Sequence, residues 1–241
     1  HGHDAAYVLK GITPIYFTVG YGREPLFDYL NAGLMAGMGA SPLTLRFAAA
    51  CWGMIALAAT YRAAGLAFDR QTALLALMLM TVSFWPLATS RQALRSAMLP
   101  GEMALAVSLF LESLATENAK KKWLLVIGLG FVLAAAFYTY IPARALWIMF
   151  PAAAILSAIP TWRLANSSRG DVSRFTLHAL RSSRHVFTAL LIAFSLASPL
   201  FIYLYQHPEA EQRISMLSEP LNALRGGDTS IILANARETL L

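Results

Sequence analysis

The sequence predicts an all-α protein: a bundle of transmembrane helices, with one further helix lying in the membrane interface near the N-terminus. Of its 241 residues, 57% are hydrophobic and only 13% are charged. A soluble domain carries about 25% charged residues, so roughly half of the usual charge is missing. The mean hydropathy of +0.54 agrees with this. Together these values exclude a disordered chain, a coiled coil and an ordinary soluble enzyme.

Six apolar runs are predicted to be membrane spans, because each crossing needs about 20 predominantly apolar residues. The fifth run is short and begins after Pro142. Tyr61, Trp85 and Trp123 lie near run ends, where amphipathic rings prefer the interface. In chain order the six runs are 43–61, 71–89, 97–115, 123–141, 145–160 and 185–205.

A seventh run, 25–40, is predicted to lie in the interface without crossing. It is short and rich in glycine, and it contains Asp28 and Asn31. An amphipathic segment of this kind rests at the boundary between headgroups and acyl chains.

The distribution of Lys and Arg orients the bundle. With 25–40 not crossing, loops 62–70, 116–122 and 161–184 share one side and carry ten Lys or Arg in 40 residues. The segments on the other side carry eight in 88. The first set is therefore predicted to be cytoplasmic by the positive-inside rule. Because the basic residues are spread over short loops, the net charge of +6 does not indicate a nucleic-acid partner.

Four arginines are predicted to lie on the outer face and to suit an anion. Guanidinium groups bind phosphate oxygens in a bidentate manner, and a lipid-linked phosphate presents its headgroup at this depth. Contact with ordinary lipid phosphates is the alternative. The four residues are Arg23, Arg91, Arg95 and Arg144.

Three acids are candidates for proton transfer on the same face. Asp4 is the leading candidate for a general base, with Glu24 as a second catalytic acid and Glu102 as a further one. A carboxylate can act as base if it lies within hydrogen-bond reach of the acceptor. A surface aspartate near a frayed terminus is the alternative for Asp4. His1 and His3 beside it do not fix a metal site by their spacing, so the metal remains open.

The single cysteine and two glycines give weaker information about function. The single cysteine, Cys51, excludes an internal disulfide framework and a Cys-rich zinc site. Gly128 and Gly130 predict a close approach of two helices, since no strand precedes them as a nucleotide-binding loop would require.

The order of the motifs resembles the polytopic GT-C glycosyltransferases. The nearest branch is the dolichyl-phosphate-mannose–protein mannosyltransferases (glycosyltransferase family 39) and their bacterial relatives, the aminoarabinose transferases of lipid A. In this family an acidic residue lies at the start of the first outer loop, usually as an Asp-Glu pair. Here Asp4 is present, but Ala5 stands in the place of the glutamate. The matching segments are Asp4, 22–27 (GREPLF), 39–46 (GASPLTLR), Ser90-Arg91 with Arg95, 138–144 (YTYIPAR), and 207–209 (HPE) with Arg213.

The resemblance implies a GT-C-like membrane glycosyltransferase that uses a polyprenyl-phosphate sugar. It implies an acceptor hydroxyl on a protein, lipid or glycan at the outer face of the cell membrane, with Asp4 as base. It also implies that the arginines bind the lipid phosphate and that Tyr138 and Tyr140 line the sugar pocket. The resemblance leaves open whether a divalent metal ion binds near Glu24, since some relatives use one.

The resemblance also organises the chain. Residues 1–241 are predicted to belong to one transmembrane catalytic domain. Within it, 1–42 form an outer loop with a juxtamembrane helix, 43–205 hold the six spans, and 206–241 begin a large outer loop. The chain starts without Met and stops in a polar stretch, so we expect a fragment of a longer protein. A flippase or transporter of lipid-linked anions, or a noncatalytic membrane subunit, are the alternative functions.

We predict that position 121 faces the cytoplasm, because three lysines, Lys120–Lys122, follow the third span. A cysteine placed there, with Cys51 replaced, should react with a membrane-impermeant thiol reagent only after the cytoplasmic side is opened. Labelling from outside intact cells would reverse the orientation of the bundle.

Overall fold

The computed structural model describes residues 1–19, 22–153 and 172–210, together with Asn222, Arg225 and Gly226. Over these residues the chain is helical, apart from connecting segments and a single antiparallel bridge between Phe17 and Arg23. The predicted fold class, an all-α membrane helix bundle, is confirmed.

Eight α-helices are given bounds here, in chain order. They are α1 (Gly2–Leu9), α2 (Leu26–Met38), α3 (Pro42–Ala67), α4 (Arg70–Val82), α5 (Phe84–Arg91), α6 (Leu99–Ala115), α7 (Ala119–Phe137) and α8 (Val172–Gln206). Short 3-10 helices cover Arg95–Ala97, Ile141–Ala145 and Pro208–Ala210. Residues 146–153 are also helical.

The long helices begin at local capping signals in the sequence. The Ser41 side chain accepts a hydrogen bond from the Thr44 amide at the start of α3, and Pro42 follows as the first helical residue. Asp69 caps α4 and Asn118 caps α7 in the same way. Such caps satisfy amides that have no partner inside the helix.

Three of the predicted spans coincide with helices long and apolar enough to cross a membrane. These are Pro42–Ala67, Arg95–Ala115 and Arg184–Gln206. Helix α2 has 13 residues, about 20 Å, and is shorter than the hydrocarbon core of about 30 Å. That length agrees with its predicted place in the interface. The predicted fifth span is described only as far as residue 153.

The second predicted span, 71–89, is broken into two helices. Helices α4 and α5 meet at Ser83 with a bend of 59°. Pro86 explains the break, because a continuous helix would require its missing amide hydrogen to bond the Val82 carbonyl. Counted as one span, the bent pair gives a fourth candidate crossing in the described part of the chain.

The fourth predicted span, 123–141, corresponds to α7, whose first turn contains the three lysines. On the same side, the Glu112 carboxylate of α6 pairs with Arg62 of α3 and with Lys121 Nζ at 2.9 Å. This triad ties together the ends of three helices.

The main apolar core is shared by α6, α7, α8 and the helical residues 146–150. Phe137, Trp147 and Phe201 form an adjoining aromatic group with tilted and edge-to-face contacts, in which the ring centroids of Phe137 and Phe201 are 4.3 Å apart. Buried members of the core are Ala106, Phe110, Val126, Leu129, Leu133, Leu146, Phe150, Val186 and Ala189. A separate small cluster, Ala5 with Ala32 and Met35, joins α1 to α2.

Helix α8 continues through Pro199 because a side chain replaces the lost backbone hydrogen bond. Proline removes the donor that the Ser195 carbonyl would otherwise receive. The Ser198 hydroxyl donates to that carbonyl at 2.8 Å. The helix therefore keeps a satisfied acceptor at a depth where bare carbonyls are costly.

Gly130 is required where α7 meets α8, whereas Gly128 is not. A Cβ at Gly130 would lie 2.8 Å from Ile192 and 2.9 Å from the Ala189 carbonyl, while one at Gly128 would make ordinary contact at 3.7 Å. The predicted close approach is thus confirmed at Gly130.

We expect Gly130→Ala to destabilise the protein by about 1–3 kcal/mol through overpacking, despite the better helix propensity of alanine. Gly128→Ala, its matched control, should leave stability unchanged or raise it by up to about 1 kcal/mol. Thermal unfolding in detergent measures both. Equal effects of the two substitutions would contradict the close contact at Gly130.

Candidate functional site

The segment before α2 is shaped so that Arg23 and Glu24 point into the bundle. Phe17 and Arg23 exchange two backbone hydrogen bonds, of 3.0 and 2.8 Å. Gly22 has a φ of 83°, and a Cβ there would lie 2.4 Å from the Tyr16 hydroxyl oxygen and 2.5 Å from the Ala210 carbonyl. Only glycine fits this backbone and this contact.

Glu24 is fully buried and is held by two arginines from distant parts of the chain. Its Oε2 pairs with Nη1 of Arg95, and its Oε1 lies 3.7 Å from Nη2 of Arg144. The Arg95 side chain is also nearly buried, but that of Arg144 keeps 26% of its surface exposed. This group of three side chains therefore has two cations around one anion.

An aromatic ring lies against each of the two guanidinium groups. The Arg95 guanidinium lies 5.1 Å from the centroid of the Tyr140 ring, and that of Arg144 lies 5.1 Å from the Phe137 ring. Both distances fall within the range of cation–π attraction. Tyr138 instead links elements: its hydroxyl donates to the Leu196 carbonyl, and its own carbonyl accepts from the Leu26 amide.

Asp4 lies beside this group and pairs with Arg23. Its Oδ2 is 2.8 Å from Nη2 of Arg23, and its side chain is 8% exposed. Because Arg23 and Glu24 are neighbours in sequence, the Asp4 pair and the Glu24 cluster are directly linked. The predicted site residues Asp4, Arg23, Glu24, Arg95 and Arg144 are therefore brought together.

Asp28 belongs to the site although the sequence did not mark it as a site residue. It is fully buried, and Nδ1 of His1 lies 2.7 Å from its Oδ1. Its Oδ2 has no hydrogen-bond partner among the described residues. Its spacing of four residues from Glu24 predicts that both face the same way if they share a helix, but Glu24 precedes α2, which begins at Leu26.

Burial raises the pKa of Asp28 to about 7, because the charged form loses its hydration. The negative charge of Asp4 raises this pKa further, whereas the guanidinium groups of Arg23 and Arg95 lower it. Asp28 thus takes up a proton near neutral pH.

Glu102 is buried one turn inside α6. The Thr139 hydroxyl donates to its Oε1 at 2.7 Å, and its Oε2 has no hydrogen-bond partner in the described part of the chain. Its bond to Thr139 joins α6 to the segment that presents Tyr138, Tyr140 and Arg144. No ion pair between Glu102 and the arginines occurs within the described ranges.

Arg91 is not part of the cluster. It lies exposed at the end of α5, and within the described residues it makes no ion pair with the site. Its four-residue spacing from Arg95 does not place both on one helix face, because the helix ends at Arg91 and Arg95 begins a separate 3-10 turn. His3 is likewise exposed.

A divalent metal ion does not fit these residues well. Glu24, near which a metal was left open, has both oxygens facing guanidinium groups. His1, Asp4 and Asp28 offer ligand atoms within 4.8 Å of one another. However, Arg23 already neutralises Asp4, and the His1 ring is bonded to Asp28. Asp4 and His1 are thus already engaged by Arg23 and Asp28, and no step is assigned to a metal.

We expect Asp28→Asn to stabilise the protein in a pH-dependent way. Since the folded-state pKa of Asp28 lies near 7 and the unfolded value near 4, ionising this residue destabilises the fold progressively between those values. The gain from Asn should be absent near pH 4 and largest above pH 7. Thermal unfolding at pH 5 and pH 8 measures it. A gain that is equal at both values would contradict the buried ionisation.

The comparisons with known proteins agree with this arrangement. The sequence model of the family described as dolichyl-phosphate-mannose-protein mannosyltransferase matches residues 19–211. No curated protein matches the chain, and no solved structure does. The matched range covers most of the chain, including Arg23, Glu24, Arg95 and Arg144. The chain therefore belongs to the dolichyl-phosphate-mannose-protein mannosyltransferase family and is a membrane glycosyltransferase.

Proposed function

We propose that this chain transfers a sugar from a polyprenyl-phosphate donor to an acceptor hydroxyl at the outer face of the cell membrane. The observation that carries the proposal is the joining of the Asp4–Arg23 pair to the Glu24–Arg95–Arg144 cluster at one end of the bundle. A group that accepts a proton thus lies beside groups that bind an anion. Glycosyl transfer from a phosphate needs both.

Arg144 is the proposed contact to the donor phosphate. Its separation of 3.7 Å from Glu24 is long for an ion pair, and its side chain is partly exposed. It can therefore turn to a phosphate oxygen while Arg95, buried and stacked on Tyr140, stays with Glu24. Charge-assisted bonds to phosphate are short and strong. Glu24 then serves to hold the arginines rather than to touch the reacting atoms.

The proposed reaction is a single displacement. The acceptor oxygen forms a bond to the anomeric carbon as Asp4 takes the hydroxyl proton. The bond between the anomeric carbon and the phosphate oxygen breaks on the opposite side, and its electron pair leaves with the phosphate. Arg144 stabilises that charge. The configuration at the anomeric carbon is inverted.

The remaining predicted site residues have secondary roles in the proposed reaction. Tyr140, beside Arg95, and Tyr138 are proposed to line the sugar pocket, and Glu102 is a reserve acid deeper in the bundle. Arg91 is exposed at the end of α5, and its proposed role is an early contact with the donor headgroup. The orientation that puts this end outside rests on the positive-inside rule and on the basic residues of the opposite end.

We expect Asp4→Asn to lower turnover about 10²–10⁴-fold, because the amide cannot take a proton. Donor affinity should change little, since Asp4 is proposed to act on the acceptor. The assay reconstitutes the purified chain in liposomes with polyprenyl-phosphate mannose and a Ser/Thr-containing peptide. Donor binding is measured separately in the same preparation. Asp69→Asn, which caps α4 at the far end and retains its cap, is the matched control.

Wild-type turnover by Asp4→Asn would remove Asp4 from the reaction and make Glu24 or Glu102 the leading base. Movement of the donor across the bilayer without any transfer would instead support a flippase, which needs the arginines but not Asp4. Neither activity would support a noncatalytic subunit.

A further inference from the structure

A cavity of about 390 Å³ lies where the broken span α4–α5 meets α3 and the start of α6. The bend of 59° at Ser83 turns α5 away from the axis of α4, and several residues that line the gap are too small to fill it. An unfilled cavity forfeits the packing contacts of its walls, and this volume falls within the range of ligand sites. The small lining residues are Ala50, Gly53, Ala56 and Ala97.

The lining of the cavity suits a hydrocarbon chain. Most of the lining side chains are apolar, and the three hydroxyl groups among them already donate to backbone carbonyls of their own helices. These hydroxyls therefore have no hydrogen left for a sugar or a peptide. They belong to Thr81, Thr89 and Ser90.

The cavity opens toward the membrane. Met54 and Trp85 line it and keep 64% and 74% of their surface exposed. Met54 lies in the middle of α3, a helix long and apolar enough to cross a bilayer. Since the bilayer core contains no water, an opening on this side of the helix meets acyl chains.

Arg91 adds a cation at one end of the cavity wall. It directly follows Ser90, and it is exposed and has no ion pair within the described ranges. The predicted second span ends at residue 89, so Arg91 falls where acyl chains give way to headgroups. At this level the guanidinium of a long side chain reaches the phosphates of the interface.

We propose that the cavity binds one acyl chain of a bilayer glycerophospholipid whose phosphate is held by Arg91. The apolar lining takes the chain, and the guanidinium takes the phosphate oxygens. The lipid fills the gap that the bend between α4 and α5 creates. A phospholipid is the proposed occupant because the surrounding membrane presents it to the opening at the highest concentration.

This inference requires neither donor nor acceptor and so stands apart from the proposed transfer. A donor headgroup that contacts Arg91 would replace one lipid phosphate by another.

The test is thermal unfolding of the full chain, purified and delipidated in detergent, with increasing amounts of dioleoyl phosphatidylglycerol. A ligand that binds only the folded state raises Tm with its concentration, and at a hundredfold excess over Kd we expect a rise of about 5–10 °C. Dioleoylglycerol has the same chains without the phosphate. Its apparent affinity should be about tenfold lower, since the charge-assisted bond is lost.

Two pairs of matched variants locate the site. Ala50→Phe fills the cavity and should abolish the rise in Tm, whereas Ala58→Phe, at an exposed position of α3 outside the cavity, should retain it. Arg91→Gln should lower the apparent affinity for phosphatidylglycerol about tenfold, to that for dioleoylglycerol. Arg46→Gln, the same change at an exposed arginine of α3, should leave it unchanged. If Ala50→Phe does not fold, Ala50→Leu is used instead and judged in the same way.

The outcomes decide the proposal without any measurement of transfer. Loss of the rise in Ala50→Phe alone, together with the weaker affinity of Arg91→Gln, supports it. An equal rise in all variants, or an unchanged affinity in Arg91→Gln, overturns it. A rise with polyprenyl-phosphate mannose where phosphatidylglycerol gives none also overturns it and makes the donor the occupant. Because turnover is not measured, failure of the Asp4→Asn prediction leaves this result untouched.

Discussion

The buried carboxylate of Glu24 is the interaction on which this end of the protein depends. It gathers Arg95 from the turn before α6 and Arg144 from the turn after α7, so three segments distant in sequence meet at one anion. An arginine at this depth without a counterion would be strongly destabilising. The arrangement also fixes Arg23, the neighbour of Glu24, and through it Asp4. Fold and site thus share one electrostatic centre.

Most of the fold could be predicted from the sequence because membrane spans carry a strong signal of length and apolarity. Helices α3 and α6 follow the predicted runs closely. The span Arg184–Gln206 matches the predicted run 185–205, but α8 already begins at Val172, inside the predicted loop 161–184. The break between α4 and α5 was not predicted, since the run 71–89 is predominantly apolar and the effect of Pro86 depends on local hydrogen bonding. The interfacial place of α2 was predicted from its length and its polar residues.

Most residues of the site could be predicted, but not the way in which their side chains pair. The arginines and acids of one face could be chosen by chemistry alone, and most of them converge. Pairing could not be predicted: nothing in the sequence says that Glu24 binds Arg95, 71 residues away. Arg91 was grouped with Arg95 on the assumption of one continuous helix, and the helix ends between them. Asp28 was predicted to face the same way as Glu24, but it was not among the predicted catalytic or binding residues.

The order of charges along the chain has a consequence for how the bundle is assembled. The acids Asp4, Glu24 and Asp28 all precede the arginines of the later helices in the sequence. Asp4 and Asp28 lie on the short helices α1 and α2, and Glu24 lies in the segment between these helices. During synthesis the anions therefore emerge first. When Arg95 and then Arg144 are synthesised, Glu24, the counterion of both, is already part of the chain.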